Sequence, residues 1–230
     1  RLLSLMPTEA QAWETGDQFI GIDLSGPVNV ADTAYAWFVE KAGGLQLHKA
    51  QMGVTDEQIY DLAAGIASRG GGLFGLDAPL SYNPGGGDRP ADKELRQKVV
   101  AAGLSAGSIM TPTMTRMAYL TMRGISLAHG LRGINRQNMA VLETHPGATL
   151  VFHGAPVDQV RLLKKSASAQ KKLLAWLAAQ GMRGVTTLGP VNDHLVAACA
   201  AAFGAWQWHR GAAIWSYAAE PPLYPFPFAC

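Results

Sequence analysis

Four carboxylates in this sequence lie where apolar segments meet polar chain. Asp23 follows the run Phe-Ile-Gly-Ile, and Asp77 follows Leu-Phe-Gly-Leu. Glu143 follows Met-Ala-Val-Leu, and Asp193 begins an alanine-rich helical run. Short apolar runs predict buried strands, and the ligand crevice of an open α/β sheet lies at the carboxyl ends of its strands. A buried carboxylate needs a cationic partner, and none is obvious here, so the four acids predict a divalent-metal site.

The chemistry that fits such a site is phosphodiester hydrolysis. Two Mg²⁺ or Mn²⁺ ions, about 3.5–4 Å apart, could hold the attacking and leaving oxygens and neutralise the charge that develops. In this interpretation Asp23 bridges the ions. Asp77 and Glu143 each hold one ion, and Asp193 completes the site from the last helix.

Histidine and basic side chains could assist this reaction. His145 or His194 would move a proton to or from the attacking water or the leaving group. Four residues are candidates for contacts with substrate phosphates: Arg89, Arg96, Lys164 and Lys165. Each of these residues, and each acid, also has an ordinary structural interpretation as a helix cap, a turn residue, a packed histidine or a solvated charge.

Composition limits the classes of protein to consider. The 230 residues are 48% hydrophobic and 16% charged, which predicts one compact domain. The net charge of +2 gives no global basic field, so a nucleic-acid surface, for DNA or RNA, must be a local patch. Cys199 and Cys230 form neither a disulfide framework nor a zinc site. No apolar stretch approaches the ~20 residues of a spanning helix, so we expect a cytoplasmic protein with no membrane partner.

The hydrophobic pattern predicts alternating elements. Strands are predicted at residues 18–25, 33–40, 45–50, 73–77 and 139–143. Helices are predicted from a Thr55 cap to residue 67, at 92–102, 113–128, 168–180 and 192–208, and from Pro146. Residues 78–90 are rich in Gly and Pro and predict an exposed loop. The predicted organisation is a leader (1–17), a domain (18–211) and a proline-rich tail (212–230) packed on that domain as extended chain.

These elements predict an α/β fold with a mixed five-stranded sheet, three antiparallel strands and then two parallel ones, flanked by helices. This is the order of the ribonuclease H-like fold. Four motifs also resemble a known family: GIDLSG at 21–26, GLDAPLS at 75–81 with GDRPAD at 87–92, ETHP at 143–146 and DH at 193–194. The family is the group of predicted nucleases with a ribonuclease H-like fold, domain of unknown function 429. The resemblance covers about residues 18–211 and implies a nuclease.

One position departs from the family's pattern and keeps other functions open. A second acid is expected one helical turn after Asp193, where this chain has Ala197. A non-catalytic ribonuclease H-like binding or scaffold domain is therefore an alternative to the nuclease or another phosphoesterase. A third hypothesis is an actin-like ATP-dependent phosphotransferase, because residues 23–26 resemble the phosphate-binding hairpin of those proteins. They need two copies of the core, however, and 230 residues hold one.

Overall fold

The computed structural model describes residues 17–189 and 191–230. Residues 1–16 of the predicted leader therefore lie outside the described residues. The strands are β1 (Gln18–Asp23), β2 (Ala34–Lys41), β3 (Gly44–Met52), β4 (Gly72–Asp77), β5 (Met139–Thr144), β6 (Met182–Arg183), β7 (Ser216–Tyr217) and β8 (Phe228–Ala229). The helices are α1 (Asp56–Ala67), α2 (Pro90–Ala101), α3 (Met117–Ile134), α4 (Pro146–Phe152), α5 (Val157–Arg161), α6 (Ala167–Ala179) and α7 (Asp193–His209).

All eight strands belong to one open sheet with the order β6-β3-β2-β1-β4-β5-β8-β7. The predicted mixed α/β class is confirmed, and so are the antiparallel β1-β2-β3 meander and the parallel pairing of β1 with β4 and of β4 with β5. The predicted count of five strands is wrong. The three additional strands, β6, β7 and β8, have two residues each, too few to show a period in the sequence.

A helix start, the burial of one loop and one additional helix differ from the predictions. The helix expected at 113–128 is α3, which starts at Met117, because Thr115 has a left-handed φ of 45° that interrupts a helical turn. The segment expected to be an exposed loop is partly buried, since Leu80 and Arg89 are only 1% and 3% exposed. Helix α5 was not predicted, and its five residues are too short for a clear amphipathic pattern.

The central strands are buried on both faces. Alternate residues of β1 and β4, such as Ile20 and Phe74, pack against α1 and α3, and the intervening ones face α7. Gly21 and Gly75 let α7 approach the sheet: a Cβ on Gly21 would lie 1.8 Å from the Ala198 carbonyl oxygen. The close packing of α7 fixes where its first residues lie relative to the ends of β1 and β4.

The chain's last described residues enter the sheet. β8 lies parallel to β5, with Phe228 opposite Glu143, and Ala229 and Cys230 are fully buried. Two residues of the tail predicted to pack on the domain as extended chain thus pair with β5, because β5 offers an edge whose backbone groups need partners. None of the helices in the described segments is long and apolar enough to cross a membrane.

Candidate active site

The first two predicted acids are neighbours in the structure. Asp23 ends β1, Asp77 ends β4, and the two are direct partners in the parallel register. Both line a cavity of about 640 Å³ at this end of the sheet. Side chains of partners in a parallel pair point to the same face, so the two carboxylates share one environment.

Full ionisation of both carboxylates would place more negative charge here than the surroundings compensate. Burial raises the pKa of Asp77 well above its ordinary value, and the charge of Asp23 raises it further. The charge of Lys164 lowers the pKa of Asp77 and so opposes this increase. Among the described residues, however, no basic side chain forms an ion pair with Asp77. Like charges held together in this way favour either a shared proton or a bound cation.

His194 is the partner of Asp23. Its Nδ1 lies 2.7 Å from Asp23 Oδ2, and this hydrogen bond is the main cause of the raised pKa of His194. Burial raises the pKa of Asp23, and His194 opposes that effect. On the other side of the ring, Nε2 lies 4.0 Å from Oδ1 of both Asp32 and Asp193. The imidazole therefore connects Asp23 to two further acids.

Glu143 lines the same cavity as Asp23 and Asp77, but its carboxylate is already paired. Its two oxygens accept hydrogen bonds from the Arg89 guanidinium, Nη1 to Oε2 at 2.7 Å and Nη2 to Oε1 at 2.5 Å. The Leu80 backbone N–H donates to Oε2 as well, at 2.8 Å. Burial raises the pKa of Glu143, and Arg89 opposes that effect. The expected free metal ligand is instead half of a buried ion pair.

Arg89 is correspondingly unavailable to a substrate phosphate. Its Nε and Nη2 donate to the two oxygens of Asp92, at 3.0 and 2.7 Å, and Nη1 also donates to Ser81 Oγ at 2.9 Å. The side chains of Arg89, Asp92 and Glu143 are each 5% exposed or less. This buried triad ties the start of α2 to the end of β5.

His145 also has a structural environment. Its Nδ1 accepts a hydrogen bond from the Ala148 backbone N–H at 3.0 Å, which caps α4. Its Nε2, which must then carry the proton, donates to the Ser108 carbonyl oxygen at 2.9 Å. Burial lowers the pKa of His145. The ring is a neutral cap with both nitrogens engaged, although His145 is among the residues that line the cavity.

The remaining basic candidates separate into two places. Lys164 and Lys165 are exposed and line the cavity. Arg96 is not among the residues that line the cavity: it forms an ion pair with Asp88, and its Nη2 donates to the Ile109 carbonyl oxygen at 3.0 Å. The structure thus brings the two lysines to the acids and gives Arg96 a role in holding a loop.

A match to a known family supplies an independent observation. The family model described as "Protein of unknown function (DUF429)" matches residues 21–221. The chain belongs to this family. Searches of curated proteins and of solved structures found no match.

The position at which this DUF429 chain departs from the expected motif lies in the cavity. Ala197 lines it one turn after Asp193, whose side chain is 25% exposed at the start of α7. In the segments that the structure describes, no three His, Cys, Asp or Glu side chains already form a group that could hold a metal ion. Asp23 and Asp77 are direct partners in the sheet, and Asp193 lies at the start of α7.

The sequence reasoning missed one residue that lines the cavity and one that supports it from outside. Asp32 lines the cavity near His194 from a short 3-10 turn, where no periodic pattern marks it. Arg123 holds the same loop: its Nη1 donates to the Ser25 carbonyl oxygen at 2.6 Å and to Thr33 Oγ1 at 2.9 Å. A buried arginine inside an apolar helix was the only available signal of this contact.

Proposed function

We propose that this chain is a divalent-metal-dependent phosphodiesterase, a nuclease with a ribonuclease H-like fold. The observation that carries the proposal is the in-register pair Asp23 and Asp77, which share a cavity although no basic side chain of the described segments forms an ion pair with Asp77. Maintaining such a pair costs stability, and a bound cation would remove that cost.

The strand order supports the fold part of the proposal. Strands β1 to β5 form three antiparallel strands followed by two parallel ones, with α1 before β4 and two helices between β4 and β5. The acids lie at the strand ends where the proposed fold would need them. The three short strands extend the edges of the sheet and leave this central order unchanged.

The residues present could bind a hard divalent cation, but with fewer ligands than the sequence predicts. Mg²⁺ is usually held by one or two carboxylates, with waters and substrate phosphates completing its shell. Asp23 and Asp77 supply that pair, and Asp193 could add a third oxygen. Glu143 does not fit, because both of its oxygens are occupied by Arg89. When bound, the metal would neutralise the phosphate and activate a water.

The protein's own groups have separate tasks in this proposal. His194 orients the Asp23 carboxylate through Nδ1, in the way that outer-shell partners orient metal ligands. Its Nε2 faces the cavity acids and is the atom at which a proton could be held or released. Lys164 and Lys165 would hold phosphate oxygens of the substrate by charge.

Ala197 favours a second candidate, a binding domain without catalysis. An alanine in the cavity wall removes the acid expected there and with it one oxygen ligand. The two candidates differ in turnover, which a binding or scaffold domain that kept the fold and lost the site would lack. Hydrolysis of a test substrate therefore separates them.

Thermal unfolding with and without Mn²⁺ tests the metal site. A ligand that binds only the folded state stabilises it by about 2.7 kcal/mol at one hundred times its dissociation constant, so we expect the melting temperature to rise. The rise should disappear in Asp77→Asn and persist in Asp61→Asn, a matched change of an exposed acid on α1. An equal rise in both variants would exclude this site.

Hydrolysis with Mn²⁺ tests the activity. We expect turnover of bis(4-nitrophenyl) phosphate, a small phosphodiester, by the wild type and by Asp61→Asn, and its loss in Asp77→Asn. Metal-dependent stabilisation without any turnover of this ester or of DNA and RNA would leave the binding domain as the function.

A further inference from the structure

The residues that line the cavity fall into sets with different chemistry. One set is apolar and comes from the segment that precedes and begins α3; we call it the apolar wall: Ile109, Met110, Met117 and Leu120. A second set is basic and comes from the end of α5 and the turn after it; we call it the basic rim: Arg161, Lys164 and Lys165. The carboxylate pair belongs to the same cavity, so a ligand there meets three kinds of surface.

The apolar wall is held in place, and part of it faces solvent. Arg96 donates to the Ile109 carbonyl oxygen, and the Thr111 hydroxyl donates to Asp88 Oδ1 at 2.5 Å. Met110 nevertheless has 43% of its surface exposed. Met117 and Leu120 are half-buried, and Ile109 is buried at 5% exposure. An exposed methionine beside half-buried apolar side chains offers a surface to a ligand, and methionine adapts to flat ligands of varied outline.

The basic rim lies close enough to act on the acids. The charge of Lys164 lowers the pKa of both Asp23 and Asp77. Within the described segments, neither Lys164 nor Lys165 has an ion-pair partner. Arg161 differs, because its guanidinium donates to the Gly103 carbonyl oxygen at 2.9 Å. The two lysines are therefore available for an anionic group placed beside the carboxylate pair.

We infer that the cavity binds one nucleotide unit of an unpaired nucleic-acid strand, with its base on the apolar wall and its phosphate between the lysines and the carboxylate pair. This inference rests on the proposed function and narrows its substrate class. A cavity of about 640 Å³ has the size of a small-molecule site, roughly 300–1,000 Å³. An unpaired base can offer its face to apolar side chains, whereas a duplex keeps the faces of its bases stacked inside.

Binding without turnover tests the inference directly. The protein with Asp77→Asn is titrated against a fluorescently labelled twelve-nucleotide single strand and against the duplex of the same sequence, with anisotropy as the readout. Stacking of one base is worth about 1–3 kcal/mol, and about 1.4 kcal/mol is tenfold in affinity, so we expect the single strand to bind at least about fivefold more tightly. Equal affinity for the duplex would overturn the inference.

Paired variants in the same background test each surface. Met110→Ser with Met117→Ser should weaken single-strand binding at least about fivefold through loss of stacking. Lys164→Ala with Lys165→Ala should weaken it comparably and reduce its salt dependence. The matched controls are Met122→Ser and the pair Lys171→Ala with Lys172→Ala, all exposed and outside the cavity. Losses in the controls as large as in the cavity variants would contradict the assignment.

A third arm separates this inference from the proposed function. Turnover of bis(4-nitrophenyl) phosphate with Mn²⁺, combined with no preference for the single strand, would overturn the inference and leave the phosphodiesterase. Selective single-strand binding without turnover of any ester would support the inference and overturn the phosphodiesterase. A mononucleoside monophosphate that competes as well as the unlabelled oligonucleotide would also overturn the assignment, because the ligand would then be a free nucleotide.

Discussion

Ionisation of Asp77 is opposed by burial and by the negative charge of Asp23 on the neighbouring strand. In the unfolded chain neither effect is present, so the folded state holds its proton to a higher pH. The carboxylate is thus a local source of instability in the metal-free protein. Residues of this kind are commonly retained at functional sites, where activity is maintained at the expense of stability.

The first prediction concerns the free energy of unfolding of Asp77→Asn. We expect the variant to be more stable than the wild type at neutral pH in EDTA, by about 0.5–2 kcal/mol. Because the folded-state pKa of Asp77 is raised, wild-type stability falls as the pH rises from the unfolded pKa to the folded one. The advantage of the variant should therefore grow over that window and then level off.

Urea unfolding from pH 4 to pH 8 measures this difference, with Asp61→Asn as the matched control. A wild type that is more stable than Asp77→Asn at neutral pH would show that a basic partner compensates the carboxylate.

The second prediction concerns the buried triad. Removing one partner of a buried ion pair costs about 3–5 kcal/mol, so Arg89→Met should unfold at much lower urea because Glu143 and Asp92 lose their partner. Adding Glu143→Gln should restore part of the loss. Alone, Glu143→Gln should keep the Mn²⁺-dependent rise in melting temperature. Loss of that rise in Glu143→Gln would indicate that Glu143 is a metal ligand after all.

Asp77 and Glu143 show what the sequence could and could not predict at the residue scale. A strand end is encoded locally, so the meeting of Asp23 and Asp77 follows from two apolar runs and parallel pairing. The Arg89–Glu143 contact joins positions 54 apart and depends on the path of residues 78–90. No periodic pattern describes that path, so a carboxylate at the end of a strand looked free when it was paired.

At the scale of elements, the close packing of α7 against the sheet brings His194 within hydrogen-bonding distance of Asp23. Alanines on the helix face glycines on β1 and β4, and a Cβ on Gly75 would lie 2.6 Å from the Ala201 carbonyl oxygen. The backbones approach closely because neither side carries a larger group. A helix displaced outward would carry Asp193 and His194 away from the cavity.

The third prediction follows from this packing. Gly21→Ala would place a methyl 1.8 Å from the Ala198 carbonyl oxygen, and overpacking of a core typically costs about 1–3 kcal/mol, occasionally more. We expect the upper part of that range, measured by urea unfolding. Gly133→Ala is the control, because Gly133 is an exposed position of α3 where a Cβ would meet nothing within 4 Å. It should be neutral or stabilise by up to about 1 kcal/mol. A neutral Gly21→Ala would refute the close approach.

The fourth prediction concerns the loop that carries the apolar wall. Hydrogen bonding to Arg96 lowers the pKa of Asp88 to about 2. A depressed folded pKa contributes stability above the unfolded pKa, and that contribution is lost as the pH falls through the folded value. Asp88→Asn should thus be less stable than the wild type at pH 5. The difference in melting temperature should shrink toward pH 2, and a difference independent of pH would contradict the ion pair.

The predictable and unpredictable elements differ in how their structure is specified. Strands β1 to β5 have at least six residues each and carry their own apolar pattern. The two-residue strands form only because an edge is already present, β6 on β3 and β8 on β5. Their pairing is a property of the assembled sheet and leaves no trace in a local window of sequence.

For the whole molecule, one sheet connects distant parts of the chain. Its members run from Gln18 to Ala229, and β8 lies between β5 and the edge strand β7. Phe228 of β8 lies opposite Glu143, lines the cavity, and has the Arg89 guanidinium carbon 5.6 Å from its ring centroid. The predicted tail is therefore part of the structure that surrounds the site. Disrupting it should lower the stability of the whole sheet.

The fifth prediction is that thermal unfolding is a single cooperative transition monitored equally by far-ultraviolet circular dichroism and by tryptophan fluorescence. Phe228→Ala should lower both midpoints by the same amount, since truncating a buried phenylalanine costs about 3–5 kcal/mol and β8 shares its neighbours with the core. Trp215, 5.0 Å from Phe228 between ring centroids, reports on this edge. An earlier fluorescence transition in the variant, with the dichroism midpoint unchanged, would show that β7 and β8 unfold on their own. The carboxylate pair would then be supported by β1, β4 and α7 alone.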